Sequence, residues 1–118
     1  MVDAHIHLSF LKDRLPDVLV PARAGGVSRW LAASVSPADW EETQTLCRSL
    51  PGALPAFGIH PWFITPAAAE APLPDLPEGC AAIGEIGLDS HCPTDPELQR
   101  AVFRRMLSLA RRHDLPVV

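Results

Sequence analysis

Two histidines near the start of the chain, His5 and His7, have a spacing that could serve metal binding. On a β-strand, residues two apart point to the same face, so Asp3, His5 and His7 would share one face. The intervening residues Val2, Ala4, Ile6 and Leu8 would form an apolar face opposite. Two imidazole nitrogens that converge on one point can bind a metal ion. The chain has five histidines, however, so one such pair also arises readily by chance.

A single carboxylate, Glu85, interrupts the apolar run Cys80–Leu88. Burying a carboxylate is costly unless it is paired, protonated or bound to a metal. Gly84 and Gly87 lack side chains beside it, which permits close approach of a ligand or of neighbouring backbone. Glu85 is therefore a candidate metal ligand, and the alternative is a carboxylate satisfied by an arginine or by backbone amides.

A third candidate, His60, stands between an apolar segment and Pro61. At the end of a strand it could contact substrate or donate a proton, and Trp62 could line the same rim. A loop histidine that is fixed by Pro61 explains the pattern equally well.

The composition is that of a globular protein without a bulk positive charge. The 118 residues are 47% hydrophobic and carry a net charge of −4, which opposes nucleic-acid binding through clustered Lys and Arg alone. It leaves open an enzyme that meets phosphate at a metal. Three cysteines, no basic leader and no long apolar span predict a cytoplasmic chain that does not cross a membrane.

The elements that must position these residues alternate between apolar segments and helical patterns. The apolar segments, which we expect to be strands, are 2–8, 30–35, 54–59 and 80–88, and 115–118 resembles the start of a fifth. The helix candidates are Leu15–Ala24, weakened by Pro21, then 36–49 with Ser36 as N-cap, and Pro96–His113 with a clear apolar stripe. Residues 66–78 are expected to be a loop with a helical fragment. This order predicts an α/β fold of parallel (β/α) units, either half of a (β/α)8 barrel or a small open sheet.

Three motifs, in this order, make the resemblance to a known family specific. They are Asp3-Ala4-His5-Ile6-His7-Leu8, Gly58-Ile59-His60-Pro61 and Ile83-Gly84-Glu85-Ile86-Gly87-Leu88-Asp89. Together they resemble the signatures of the TatD family of metal-dependent hydrolases, and the resemblance covers essentially the whole chain. Ser90-His91 departs from the family pattern, since many relatives carry aromatic residues there.

The resemblance implies that residues 1–118 are the N-terminal part of a single hydrolase domain, about half of a (β/α)8 TIM-type barrel. It implies one or two divalent metal ions (Mg, Mn or Zn) and hydrolysis of phosphodiester bonds, often in DNA, by a metal-activated water. His5 and His7 match metal ligands, Glu85 matches a metal-bridging catalytic carboxylate, and His60 matches a catalytic histidine at the mouth of the site. The family's remaining ligands, two histidines and an aspartate, lie on later strands that these residues do not include.

Two alternatives remain open. A related barrel hydrolase would act on an amide or an ester, and a truncated half barrel would do no chemistry. The metal hypothesis itself makes a geometric prediction: Glu85 should lie within about 8 Å of His5 and His7, because ligands must reach one ion at ~2 Å. The oligomeric state is left undetermined.

Overall fold

The structure is a computed structural model that describes residues 1–118. Its strands and helices follow each other along the chain as β1 (Val2–Ile6), a 3-10 helix (Ser9–Arg14), α1 (Leu15–Ala24), β2 (Arg29–Ala33), α2 (Pro37–Ser49), β3 (Ala53–Ala56), a second 3-10 helix (Pro61–Phe63), α3 (Pro66–Glu70) and α4 (Pro96–His113). Strands thus alternate with helices through the first half of the chain, as the sequence predicts.

The three strands form one parallel sheet in the order β1-β2-β3. The register between β2 and β3 is regular, from Trp30 opposite Ala53 to Ala33 opposite Ala56. Between β1 and β2 it shifts, because the step from Asp3 to Ile6 advances three positions along β1, whereas the paired step from Trp30 to Ala32 advances two along β2. This bulge disturbs the expected in-and-out alternation of β1, where Val2 and Ala4 are exposed and only Ile6 is buried.

The predicted fourth strand, 80–88, does not form a continuous strand. It extends the sheet through isolated bridges, Ala56 with Ala82 and Ile83 with Val117. The amide of Gly84 donates to the carbonyl of Phe57, and the amide of Ile86 donates to the carbonyl of Val118. The Glu85 amide between them donates instead to the carbonyl of Ser34, just after β2, at 2.9 Å. The backbone hydrogen-bond pattern is therefore irregular at the residue whose side chain is the candidate ligand.

The helices begin and end where the sequence signals indicate, and the one difference is at the start of α2. At α4, the Asp95 side chain accepts hydrogen bonds from the amides of Glu97 and Leu98, Pro96 occupies the first turn, and Asp114 ends the helix in the left-handed conformation. The α1 helix continues through Pro21. Ser36, the expected N-cap of α2, makes no capping bond with its side chain.

Two clusters of buried apolar residues hold the elements together. One packs α4, through Val102, Met106 and Leu109, against Phe57 and Ile83 at the carboxyl ends of the strands. The other lies beneath β1 and β2 and includes residues of α1 and α2. None of the helices combines the length and apolar character needed to cross a bilayer.

Candidate metal centre

The end of β1 brings the two spaced histidines together. The Nε2 atoms of His5 and His7 lie 3.3 Å apart, and the Nδ1 of His7 lies 2.8 Å from the carbonyl oxygen of Ala33. A carbonyl only accepts, so Nδ1 of His7 carries the proton and donates it, and Nε2 presents a lone pair. A backbone carbonyl that orients a histidine in this way is typical of metal-ligating imidazoles.

The carboxylate of Glu85 lies between three histidines. Its Oε2 is 3.4 Å from Nε2 of His5 and 3.3 Å from Nε2 of His7, and its Oε1 is 3.5 Å from Nε2 of His60. The structure thus brings together His5, His7, His60 and Glu85, well inside the distance that the metal hypothesis requires. Asp3 does not join them, since its Oδ1 accepts a hydrogen bond from the backbone amide of His5.

The donor atoms of this cluster have the spacing that a cation needs. One ligand atom from each of His5, His7 and Glu85 lies within 4.8 Å of the others. Ligands at ~2.1 Å from one tetrahedral ion are separated by roughly 3.5 Å. A cation between Nε2 of His5, Nε2 of His7 and Oε2 of Glu85 would accept a lone pair from each of them. The residues therefore fit a divalent metal.

His60 uses its ring in the opposite sense. Its Nδ1 accepts a hydrogen bond from the amide of Trp62, 3.2 Å away, at the start of the second 3-10 helix. In the neutral ring the proton is then on Nε2, which is the atom facing Glu85. This tautomer makes His60 a hydrogen-bond donor toward the carboxylate and distinguishes it from His7.

A buried network that the sequence did not reveal holds Glu85 in place. The hydroxyl of Ser34 donates to the carbonyl of Ala56 at 3.1 Å and accepts from the amide of Gly58 at 3.1 Å. The indole of Trp40 donates to the carbonyl of Gly58 at 2.9 Å. Neither Ser34 nor Trp40 carries a sign of this role in the sequence.

Gly58 is the residue of this network that leaves a signal in the sequence. A Cβ atom added there would lie 2.3 Å from the carbonyl oxygen of Glu85 and 2.3 Å from the carbonyl carbon of Gly84. Only glycine permits this approach of two backbone segments. A glycine two residues before His60 was the available sign of it.

Outside the cluster, Asp89 ties the site's outer loop to its neighbours. Its carboxylate accepts from the Trp62 indole at 2.6 Å and from the His91 amide at 2.8 Å, and these bonds, the indole first, lower the pKa of Asp89 below its usual range. Gln99 of α4 accepts from the Asp89 amide and donates to its carbonyl. His91 and His113 are exposed and lie outside the cluster.

Comparison with known proteins identifies the TatD family along almost the whole chain. The family model described as "TatD related DNase" matches residues 2–118. The human protein named deoxyribonuclease TATDN3 is 32% identical over 138 residues, which cover 99% of this chain and 50% of that protein. The tatdn3 protein of Danio rerio is 31% identical, with 98% of this chain and 51% of that protein covered. The chain thus spans about half the length of these curated relatives.

A solved structure gives the same result for the fold. The crystal structure of YJJV, a TatD homologue from Escherichia coli, matches with a TM-score of 0.75 at 25% identity, over 99% of this chain and 49% of that one. The fold is therefore α/β, with parallel (β/α) units that correspond to about half of a TIM-type barrel. Because the family model matches this chain over almost its full length, the chain belongs to the TatD-related DNase family.

Proposed function

We propose that His5, His7 and Glu85 bind one or two divalent cations, Mg, Mn or Zn, and that the site hydrolyses phosphodiester bonds. The observation that carries the proposal is the convergence of two imidazole nitrogens and one carboxylate oxygen within 4.8 Å. Nitrogen and oxygen ligands suit all three metals. A cation at this position supplies a water of lowered pKa and neutralises charge on the phosphoryl oxygens.

Residues of the chain itself orient the ligands and contact the phosphoryl group. The Ala33 carbonyl fixes the His7 ring so that its Nε2 lone pair faces the cluster. Glu85, whose two carboxylate oxygens face different histidines, can hold a cation with one oxygen and accept a hydrogen bond from His60 with the other. His60 then contacts the phosphoryl group through its Nε2–H, or serves as the acid once its ring carries a second proton.

DNA, or another phosphodiester, is the proposed substrate. Its support is the family's description as a DNase and the name deoxyribonuclease that the human relative carries. The net charge of −4 favours phosphate binding at the metal site over binding to a basic surface. Three free cysteines fit the proposed cytoplasmic location.

One observation favours a second candidate, a half barrel without catalysis. Residues 1–118 correspond to half the length of the relatives and are proposed to be the N-terminal part of one barrel domain, so any ligands on later strands lie outside them. A related hydrolase that acts on an amide or ester would use the same metal cluster with a different rim.

The test combines metal titration calorimetry with a DNA hydrolysis assay in Mg, Mn and Zn. Glu85→Gln keeps the shape but removes the charge, so metal affinity should fall by more than the roughly 10–100-fold that loss of an outer partner costs. Hydrolysis should be lost with it. The matched control is Glu70→Gln, since Glu70 is exposed at the end of α3. Unchanged metal affinity in Glu85→Gln contradicts the metal site, and metal binding without hydrolysis by residues 1–118 favours the second candidate.

A further inference from the structure

The exposed aromatic residues of this chain are concentrated beside the candidate metal centre. The chain has four phenylalanines, three tryptophans and no tyrosine. Trp30, Trp40 and Phe57 are buried in the core. Three others are exposed by 45–60% and together form what we call the aromatic rim, which consists of Phe10, Trp62 and Phe63.

Two members of the rim contact the histidines of the site. The ring centroid of Phe10 lies 5.3 Å from that of His7, and the ring centroid of Phe63 lies 6.2 Å from that of His60. The two phenylalanine rings are 6.4 Å apart and tilted by 33°. Phe10 and Phe63 therefore form one continuous surface that begins at the imidazoles of the cluster.

The positions of these rings are set by short, anchored elements. Phe10 lies in the first 3-10 helix, whose neighbouring Ser9 is buried. Phe63 ends the second 3-10 helix, where its amide donates to the carbonyl of His60 and Pro61 is buried. The third member, Trp62, is held by its indole bond to Asp89. The backbone thus fixes large apolar side chains in an exposed position, where a single exposed residue is ordinary but a cluster marks a binding surface.

We infer that Phe10 and Phe63 form a platform on which a base of the phosphodiester substrate stacks while the adjacent phosphate lies at the metal centre. The inference rests on the proposed function, because it places phosphate among His5, His7 and Glu85. A nucleotide joins a flat aromatic base to a phosphate, and the structure places exposed aromatic rings beside the cluster that we propose to bind phosphate. Stacking on aromatic side chains strengthens binding by roughly 5–150-fold per base and tolerates any base.

The experiment compares two oligonucleotides in the full-length gene product with Mg or Mn. One carries normal bases, and the other carries an abasic tetrahydrofuran unit beside the scissile phosphate. We expect wild-type kcat/KM to fall by roughly tenfold on the abasic substrate, as the loss of one stacked base predicts. Phe10→Leu combined with Phe63→Leu should lower kcat/KM on the normal substrate by a similar factor and leave the abasic substrate unaffected.

Two further variants separate stacking from folding. Phe10→Tyr with Phe63→Tyr keeps both rings and should retain the preference for the normal substrate. Phe103→Leu removes an aromatic ring from α4, away from the rim, and should also retain it. The platform is contradicted if the leucine variant loses kcat/KM equally on both substrates. It is also contradicted if this variant fully retains the preference for the normal substrate.

A binding measurement decides the inference independently of hydrolysis. The fluorescence of 2-aminopurine in the oligonucleotide is quenched when that base stacks, so it should decrease on wild-type protein and on the tyrosine variant but not on the leucine variant. Quenching without turnover supports the platform while it contradicts the proposed hydrolase. Turnover without quenching or base preference supports the hydrolase and contradicts the platform.

Discussion

At the scale of single residues, two histidines on either side of Glu85 present opposite chemistry to it. His7 donates through Nδ1 to Ala33 and offers a lone pair, whereas His60 accepts at Nδ1 from Trp62 and offers a proton in its neutral form. The backbone partner of each ring decides which role that ring can take. Hydrogen bonding alone thereby distinguishes a ring that can act as a ligand from a ring that can donate a hydrogen bond.

Replacing His60 should therefore affect catalysis and metal binding differently. In His60→Gln we expect turnover to fall by roughly 100-fold, the scale of a positioned acid, with little change in metal affinity. Calorimetric metal titration beside phosphodiester kinetics measures both quantities. His91→Gln, a change at an exposed histidine outside the cluster, is the control. A parallel loss of metal affinity in His60→Gln would make His60 a ligand.

The sequence predicted the members of the cluster but not what holds them. His5, His7, His60 and Glu85 are visible as a spacing, a strand end and a charge within an apolar run. Ser34 and Trp40 are not, because their partners, the carbonyls and amide of Ala56 and Gly58, are tertiary neighbours. A serine in an apolar segment carries no sign of which distant backbone it will bond.

At the scale of elements, the segment that follows β3 and the segment around Glu85 come into close backbone contact at Gly58. The backbone of residues 84–85 lies where a side chain of residue 58 would be, and the Glu85 amide bonds to the end of β2. Glu85 itself lies outside the regular strands, so these backbone contacts determine where its carboxylate lies.

Gly58→Ala should consequently damage both stability and the site. The new methyl group would overlap backbone that has no free rotation to escape, and overpacking of this kind costs about 1–3 kcal/mol or more. We expect a lower Tm together with weaker metal binding, measured by thermal unfolding and calorimetry. Gly25→Ala is the matched control, because its Cβ would meet only ordinary contacts at 3.4 and 3.5 Å. Equal Tm values for the two variants would show that the segment at Glu85 can shift.

The helices were easier to predict than the fourth strand. Pro96–His113 has its cap, its proline and its apolar stripe within its own sequence, and the structure places α4 at those bounds. The segment 80–88 has the composition of a strand, but its continuation depends on where each amide finds an acceptor. For Glu85 that acceptor is Ser34, which local sequence does not indicate.

At the scale of the whole molecule, the sheet has an open edge. β1 pairs only with β2, and its first residue, Val2, is exposed by 60%. Unpaired strand groups beside exposed apolar side chains favour pairing with another chain.

Alternating strands and helices predicted an α/β fold, but they could not choose between a barrel and an open sheet, because both bury parallel strands under helices. The three ordered motifs supported the barrel, and the match to the YJJV structure agrees with it.

A polypeptide of residues 1–118 alone should therefore associate and hydrolyse phosphodiesters weakly. Size-exclusion chromatography at several concentrations, with an assay in Mg, Mn and Zn, measures both. Val2→Lys should reduce association, since a charge on an edge strand opposes pairing. Val20→Lys is the control, because Val20 is as exposed but lies on α1. A monomer with robust turnover would show that these residues suffice for activity.

The candidate ligands come from widely separated parts of the chain: His5 lies on β1, and Glu85 follows β3 after two further helical segments. An unfolded chain retains at most the local His5–His7 pair, so a bound cation selects the native state by mass action. The midpoint of thermal unfolding should rise with the logarithm of free metal concentration and fall with a chelator, in proportion to RT ln(1 + [metal]/Kd). Glu85→Gln should flatten this dependence. The ion would then act as a reversible cross-link, and the cell's free metal level would help set the protein's lifetime.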